Sequence, residues 1–258
     1  MVVQKRAVRF FSVDTLLRRG SLFLSLGALG LALPGLAGQT GRRVRVPDNS
    51  DWWSFSRGSD FEEGTQSRVQ ERELATSNFQ VLGITLGENM HSNAARKLGK
   101  VTIVERGDAS TGRSQACYTS AGAEDRVYLI FEQDEVGYTY YLFAGGHSWE
   151  GADYCLASKA IFRSMATGSG LRLGQTPAEV IAILGKPTKW RKNGLAYSFS
   201  IRKKTSPQDL KEARERNPDM SEKDIQERYG YYDLATAVDA EFEDSKLTYL
   251  AVSKAETN

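Results

Sequence analysis

What this chain lacks narrows what it can do. It has two cysteines and two histidines in 258 residues. Cys117 and Cys155 sit in no short Cys-x-x-Cys or Cys/His cluster, so they offer no metal site. Gly185-Lys186-Pro187-Thr188 imitates the end of a phosphate-binding loop. The motif's first glycine would fall on Val180, however, and Pro187 stands where its Ser/Thr belongs. No cofactor or metal is expected. His91 lies beside a short helix and reads as a surface residue. His147 is followed by Ser148 in a Gly-rich stretch near Asp153, but adjacent residues of an extended segment point in opposite directions. His147 is therefore badly placed to activate Ser148, and the chain reads as a non-enzyme. A hydrolase with a site of another pattern is the remaining catalytic reading.

An excess of either charge is missing too. The chain counts 34 Lys+Arg against 32 Asp+Glu, a net +2. Residues 1–37 hold five of the bases and one of the acids, which leaves 29 against 31, or −2, for the rest. Nucleic acid requires clustered Lys and Arg, and none is expected as a partner.

The first 37 residues read as an address. Lys5, Arg6, Arg9, Arg18 and Arg19 precede the apolar run Ser21 to Leu33, Pro34-Gly35 breaks it, and Gly35-Leu36-Ala37 offers a cleavage site. The run is about half to two-thirds of the roughly 20 residues that cross a bilayer. A cleaved signal peptide follows, with no stable membrane span afterwards. An uncleaved amphipathic anchor and a mitochondrial presequence share the same basic, acid-poor start. Arg18-Arg19 half-matches a twin-arginine signal. The localisation expected is extracytoplasmic, periplasmic or secreted. In such a compartment Cys117 and Cys155 most simply form one disulfide, two buried thiols being the alternative.

Residues 38–76 are polar and read as a flexible linker. Trp52-Trp53-Ser54-Phe55 stands out within them, either as a clip onto the domain or as a partner-binding segment. Two related stretches follow. Gly83-Ile84-Thr85-Leu86-Gly87 leads to Leu98-Gly99-Lys100, and Gly170-Leu171-Arg172-Leu173-Gly174 leads to Leu184-Gly185-Lys186-Pro187. The period is about 87 residues, the spacing of a duplicated unit. Thr176, Pro177 and Glu179 spell a capping box with proline in the first turn, and Gly185-Pro187 spells a stop. Asn89 is the corresponding cap candidate of the first copy.

Strand patterns follow each helix: Ala116–Thr119, Arg126–Gln133 and Tyr138–Phe143, then Leu195–Arg202, Ala235–Phe242 and Lys246–Val252. The expected fold is α+β: two tandem helix-plus-three-strand repeats, 77–165 and 166–258, forming a curved antiparallel sheet with helices on one face. A charged helical insertion, 205–229, interrupts the second; it is a solvated flap or a partner-binding arm.

Leu173-Gly174-Gln175-Thr176-Pro177-Ala178-Glu179-Val180 with Leu184-Gly185-Lys186-Pro187, echoed in the first copy, resembles the unit of SmpA/OmlA-type outer-membrane assembly proteins and of the secreted β-lactamase inhibitory proteins. The inhibitors carry two such units in tandem. The resemblance implies a fold and a protein-binding role, and it transfers no binding residue. The chain departs from it by having no cysteine near the cleavage site and only two cysteines, where the inhibitors have a disulfide in each unit.

Aromatic residues crowd the strands. Tyr138, Tyr140, Tyr141, Trp149, Tyr231 and Tyr232 are the candidate partner-contact residues, because Tyr and Trp concentrate in protein interfaces. The competing reading makes them core. Parity places Tyr138 and Tyr140 on one face and Tyr141 on the other. The function expected is an exported module that binds another extracytoplasmic protein, inhibitor-like or assembly-related. The alternative is a structural envelope protein held by its linker and charged insertion.

Overall fold

The computed structural model describes residues 43–45, 69–107, 112–122, 126–145 and 153–257. The leader expected over 1–37, the Trp52-Trp53 segment, His147, Ser148 and Trp149 lie outside the described residues.

Apolar residues at period two feed strands, and the strands assemble mainly by antiparallel pairing. In chain order they are β1 (Arg43–Arg45), β2 (Gln80–Val81), β3 (Ile84–Thr85), β4 (Ile103–Arg106), β5 (Arg113–Ser120), β6 (Val127–Gln133), β7 (Gly137–Ala144), β8 (Leu156–Ser158), β9 (Lys189–Arg191), β10 (Gly194–Lys204), β11 (Tyr231–Glu243) and β12 (Lys246–Thr257). β2 and β3 form a small hairpin whose turn residues Leu82 and Gly83 have φ of 51° and 68°, the left-handed pair that a two-residue turn demands. The other ten make one sheet in the order β1-β4-β5-β6-β7-β12-β11-β10-β9, with β8 set against β5. Pairing is parallel for β1 on β4 and for β8 on β5.

Among the described residues four α-helices complete an α+β architecture. α1 (Met90–Leu98) buries Met90, Ala94 and Leu98, spaced four apart on one stripe. α2 (Pro177–Leu184) buries Val180 and Leu184, with Ile181 and Ile183 packed partly against the same core. Both stripes meet one face of the sheet, where Tyr118, Leu129, Phe131, Tyr140, Leu142, Tyr197, Phe199, Val238 and Val252 lie. The capping box of α2 forms: Thr176 accepts from the Glu179 amide, and the Glu179 carboxylate accepts from the Thr176 amide at 2.7 Å. Asn89 occupies the equivalent place before α1, but its side chain makes no cap bond. Gly99 and Gly185 end the two helices at φ of 106° and 84°.

The insertion is a helical hairpin, α3 (Pro207–Arg216) and α4 (Glu222–Tyr229), each capped by a serine, Ser206 and Ser221. It is not wholly solvated. Leu210, Ala213 and Ile225 are buried, and Arg214 pairs with Glu222 across the turn.

Two expectations need correction. Each set of three strands gains a short marginal strand, β4 and β9, whose charged residues (Glu105, Arg106, Lys189, Arg191) hide a strand signal but suit a sheet margin. The stretch read as linker is attached at both described ends. β1 pairs with β4, while Gln70 bridges Phe199 of β10, Arg72 lies 4.4 Å over the Phe199 ring and donates to the Leu184 carbonyl, and Leu74 is buried.

Candidate partner-contact face

With α1 and α2 on one side of the sheet, any broad contact face is the other side. Register fixes which side chains share it. One row runs Ser198, Ala237, Ser253, Thr139, Glu132, Gln115 and Val104 across seven strands. A second runs Ala196, Asp239, Ala251, Tyr141, Ile130 and Cys117. The halves of this face differ in kind.

Over β5, β6, β7 and the start of β12 the face is aromatic and buried. Tyr128 stacks on Phe143 at 5.1 Å between ring centroids, and Tyr249 lies 6.2 Å from Phe143 and 6.5 Å from Tyr141. With Val104, Cys117 and Ile130 they form a second apolar cluster, separate from the core under the helices. Cys117 is disulfide-bonded to Cys155 at its margin. The bond is consistent with an oxidising compartment.

Within this half sits a buried carboxyl. Glu132 accepts hydrogen bonds from Gln115 at 2.6 Å and from the Tyr141 hydroxyl at 3.0 Å, and Arg113 stands 3.8 Å away. Burial raises its pKa, and the Gln115, Arg113 and Tyr141 contacts only partly oppose that. The folded state therefore holds this proton more tightly than the unfolded chain does. Below the ordinary carboxylate range both states are protonated and no penalty arises; it sets in as pH rises through that range and is complete above the folded pKa. We expect Glu132→Gln to gain stability relative to the parent as pH rises, since Gln115 can turn its amide to serve the new one. Denaturant unfolding of both proteins between about pH 4 and pH 8 checks this; a pH-independent difference would refute the assignment.

Over β12, β11 and β10 the face changes to small side chains. Ser198, Ser200, Ala235, Ala237, Ser253 and Ala255 form a floor, with Thr139 and Gly137 continuing it on β7. Ala235 is exposed, and the other five floor residues are half-buried. Four strands at about 4.8 Å spacing make this floor about 14 Å wide. Charge borders it: Asp233 pairs in register with Arg202, and Arg191 lies 3.1 Å from Asp239, a carboxyl whose pKa burial raises. Tyr231, 48 % exposed, stands at the end of the same face with the Arg202 guanidinium 5.2 Å from its ring.

The candidate residues thus separate. Tyr140 and Tyr141 present no contact surface: Tyr140 is enclosed under the helices and Tyr141 is 7 % exposed on the other side. Tyr138 and Tyr232 are half-buried, and Tyr138 packs against the helix-side core. Tyr231 is available, and Trp149 lies outside the described residues. Trp190 was missed. It is 60 % exposed at the β9 edge, beside a cavity of about 480 Å³ lined by Pro177, Asn193 and Asp244 among others. Its signal was membership of the same aromatic set as Tyr231 and Tyr232, from which the candidates were drawn without it. His91 is also corrected: it is half-buried, burial lowers its pKa first of all, and its Nε2 is enclosed with no hydrogen-bond partner.

Among the described residues no three His, Cys, Asp or Glu side chains gather to hold a metal, and no helix is long and apolar enough to cross a membrane. Set against protein-family models, curated proteins and solved structures, the chain matches none.

Proposed function

We propose that this chain is an exported, non-catalytic module that binds another extracytoplasmic protein on the small-residue floor of its sheet. The observation that carries the reading is that floor: eight Gly, Ala, Ser and Thr positions in continuous register, bordered by opposite charges and by the exposed Tyr231. A floor without bulky side chains lets a partner's backbone or rings approach closely, and an exposed tyrosine beside arginine has the composition of an interface anchor.

The tandem design resembling the SmpA/OmlA and β-lactamase inhibitory units is part of this proposal. Three pairs of glycines about 87 residues apart, Gly83 and Gly170, Gly87 and Gly174, Gly99 and Gly185, all have positive φ. Tyr118 donates its hydroxyl to the Gly99 carbonyl at 3.1 Å, and Tyr197 donates to the Gly185 carbonyl at 3.2 Å. Each helix stop is thus tied to the first long strand after it. The strand order β5-β6-β7-β12-β11-β10 runs through one triplet forwards and the other backwards. These likenesses support duplication.

Affinity capture from an extracytoplasmic extract tests the binding reading. The parent is expected to retain a specific protein, and Ala237→Arg and Tyr231→Ala each to weaken retention at least about tenfold with the melting temperature unchanged. Equal retention by parent and variants removes the floor from the reading; no specific retention removes the binding function.

A further inference from the structure

The sheet leaves a cleft at the corner where its last marginal strand meets α2. Register sets Trp190 of β9 beside Leu195 of β10, and Leu195 beside Ala240 of β11. Leu195 and Ala240 belong to the core under the helices, so Trp190 lies on the helix side, away from the small-residue floor. β9 ends the sheet order, and the Trp190 ring is 60 % exposed. The cleft of about 480 Å³ beside it is walled by Pro177 of α2, by Asn193 in the β9–β10 turn, and by Asp244 and Ser245 in the β11–β12 turn. Sites for small molecules span about 300 to 1,000 Å³.

These walls are tied to one another. The Phe242 amide donates to the Asn193 carbonyl at 2.8 Å, joining the two turns. The Leu247 amide donates to the Gln175 carbonyl, and the Gly174 amide to the Leu247 carbonyl, each at 2.8 Å. The approach to α2 is thereby fixed to β12. Asp244 and Ser245 have φ of 48° and 60°. A two-residue turn of this kind favours Asn-Gly or Asp-Gly, and serine here takes the place of the glycine. A hydroxyl thus stands at the cleft in a backbone conformation that glycine adopts more easily. A second cleft of about 370 Å³ has the same frame, among His91 of α1, Arg113 of β5 and Asp134 after β6. No Phe, Tyr or Trp among the described residues lines that one. Trp190 is what sets the two apart.

The lining selects a class of ligand. Arg191 and Lys192 bring two positive charges, Glu243 and Asp244 two negative ones. The balance leaves no net charge to hold an anion or a cation. Arg191 is moreover of opposite parity to Trp190 and lies 3.1 Å from Asp239 on the outer face. A proline-rich peptide needs a groove with several aromatic rings, and here Trp190 is exposed while Phe242 is buried. A flat indole accompanied by an amide, a carboxylate and a hydroxyl matches a pyranose instead. The sugar's axial C–H bonds lie on the ring face, and its equatorial hydroxyls exchange hydrogen bonds with the polar side chains.

We propose that the Trp190 cleft binds a short neutral saccharide, with the indole as stacking platform and Asn193, Asp244 and Ser245 as partners for its hydroxyls. The site is separate from the small-residue floor, and the inference does not depend on that floor binding a protein.

Titration of the full chain with chitotriose and with cellotriose tests it, followed through the indole N–H resonance of Trp190. That resonance is assigned by its loss in Trp190→Phe. At least one of the two sugars is expected to shift it saturably, with a dissociation constant of about 0.1 to 5 mM. Saturation transfer to the sugar reads affinity in the variants. Trp190→Ala is expected to weaken binding at least about tenfold, and Trp190→Phe and Asn193→Ala about threefold each, with the melting temperature unchanged. If Trp190→Ala proves unstable, Asn193→Ala decides the same point with the ring in place. No shift with either sugar at about 20 mM, or undiminished binding by the variants, overturns the proposal. So does a response of the same resonance to hexaproline and to neither sugar, which assigns the cleft to a peptide.

Discussion

Replacing both Cys117 and Cys155 by alanine is expected to lower the free energy of unfolding by about 4 kcal/mol, the value chain entropy assigns to a closed loop of this length. The two cysteines are 38 residues apart and bonded, with Cys117 buried in β5. Their loop contains all of β6 and β7, so the unfolded chain regains considerable freedom when it opens. The folded state loses local order too. β8, which follows Cys155 directly, is held to β5 by three parallel pairs. Alanine is the better probe, because serine would place a hydroxyl in an apolar cluster and add a desolvation penalty to the loss of the crosslink. For a domain of this size the loss corresponds to a fall in melting temperature of about 8 to 16 °C. Thiol titration of the denatured, unreduced protein checks the premise, with no reactive thiol expected. A double variant within about 1 kcal/mol of the parent would show that the entropic account fails here.

How much of this fold could be read from residues depended on whether a strand has one wet face. β11 alternates faithfully: Leu234, Thr236, Val238, Ala240 and Phe242 are buried, and Asp233 and Ala235 are exposed. The stretch Ala235–Phe242 and its orientation were legible for that reason, while the strand itself starts four residues earlier, at Tyr231. β6 is different. Val127, Tyr128, Leu129, Ile130, Phe131 and Glu132 are all buried, so parity separates the two faces but says nothing about which one meets solvent. Glu132 illustrates the limit. Its charge reads as an exposed position, and only the approach of Gln115 and Tyr141, 17 and 9 residues away, makes its burial tolerable. Capping chemistry is local, so the Thr176 box and the serine caps of α3 and α4 were visible as sequence. The meeting of β7 with β12 is not local, and neither is the floor that this pairing brings together.

Tyr140 carries the second large prediction, because its two readings require opposite results. As a contact residue it would tolerate truncation at little expense to folding and lose a partner. As placed, it has no exposed surface, it lies among the core residues under the helices, and its hydroxyl donates to the Asn78 carbonyl at 2.7 Å. Asn78 is itself a junction: its side chain donates to the Ala75 carbonyl and accepts from the Ser169 hydroxyl, tying the turn Thr76–Phe79 to the approach of the second helix. Tyr140→Ala therefore opens a cavity the size of a ring and also strips a buried carbonyl of its donor. The expected loss is about 4 to 5 kcal/mol, at the upper end for aromatic truncation. Tyr140→Phe separates the two contributions, since it keeps the ring and removes only the hydrogen bond, for a loss of about 1 to 2 kcal/mol. Denaturant unfolding of the three proteins measures both steps. Tyr231→Ala is the paired control: with its ring half in water, its effect on stability is expected within about 0.5 kcal/mol of zero. If Tyr140→Ala unfolds at the same denaturant concentration as the parent, Tyr140 is not part of the core, and its assignment returns to the surface that its place in an aromatic strand first suggested.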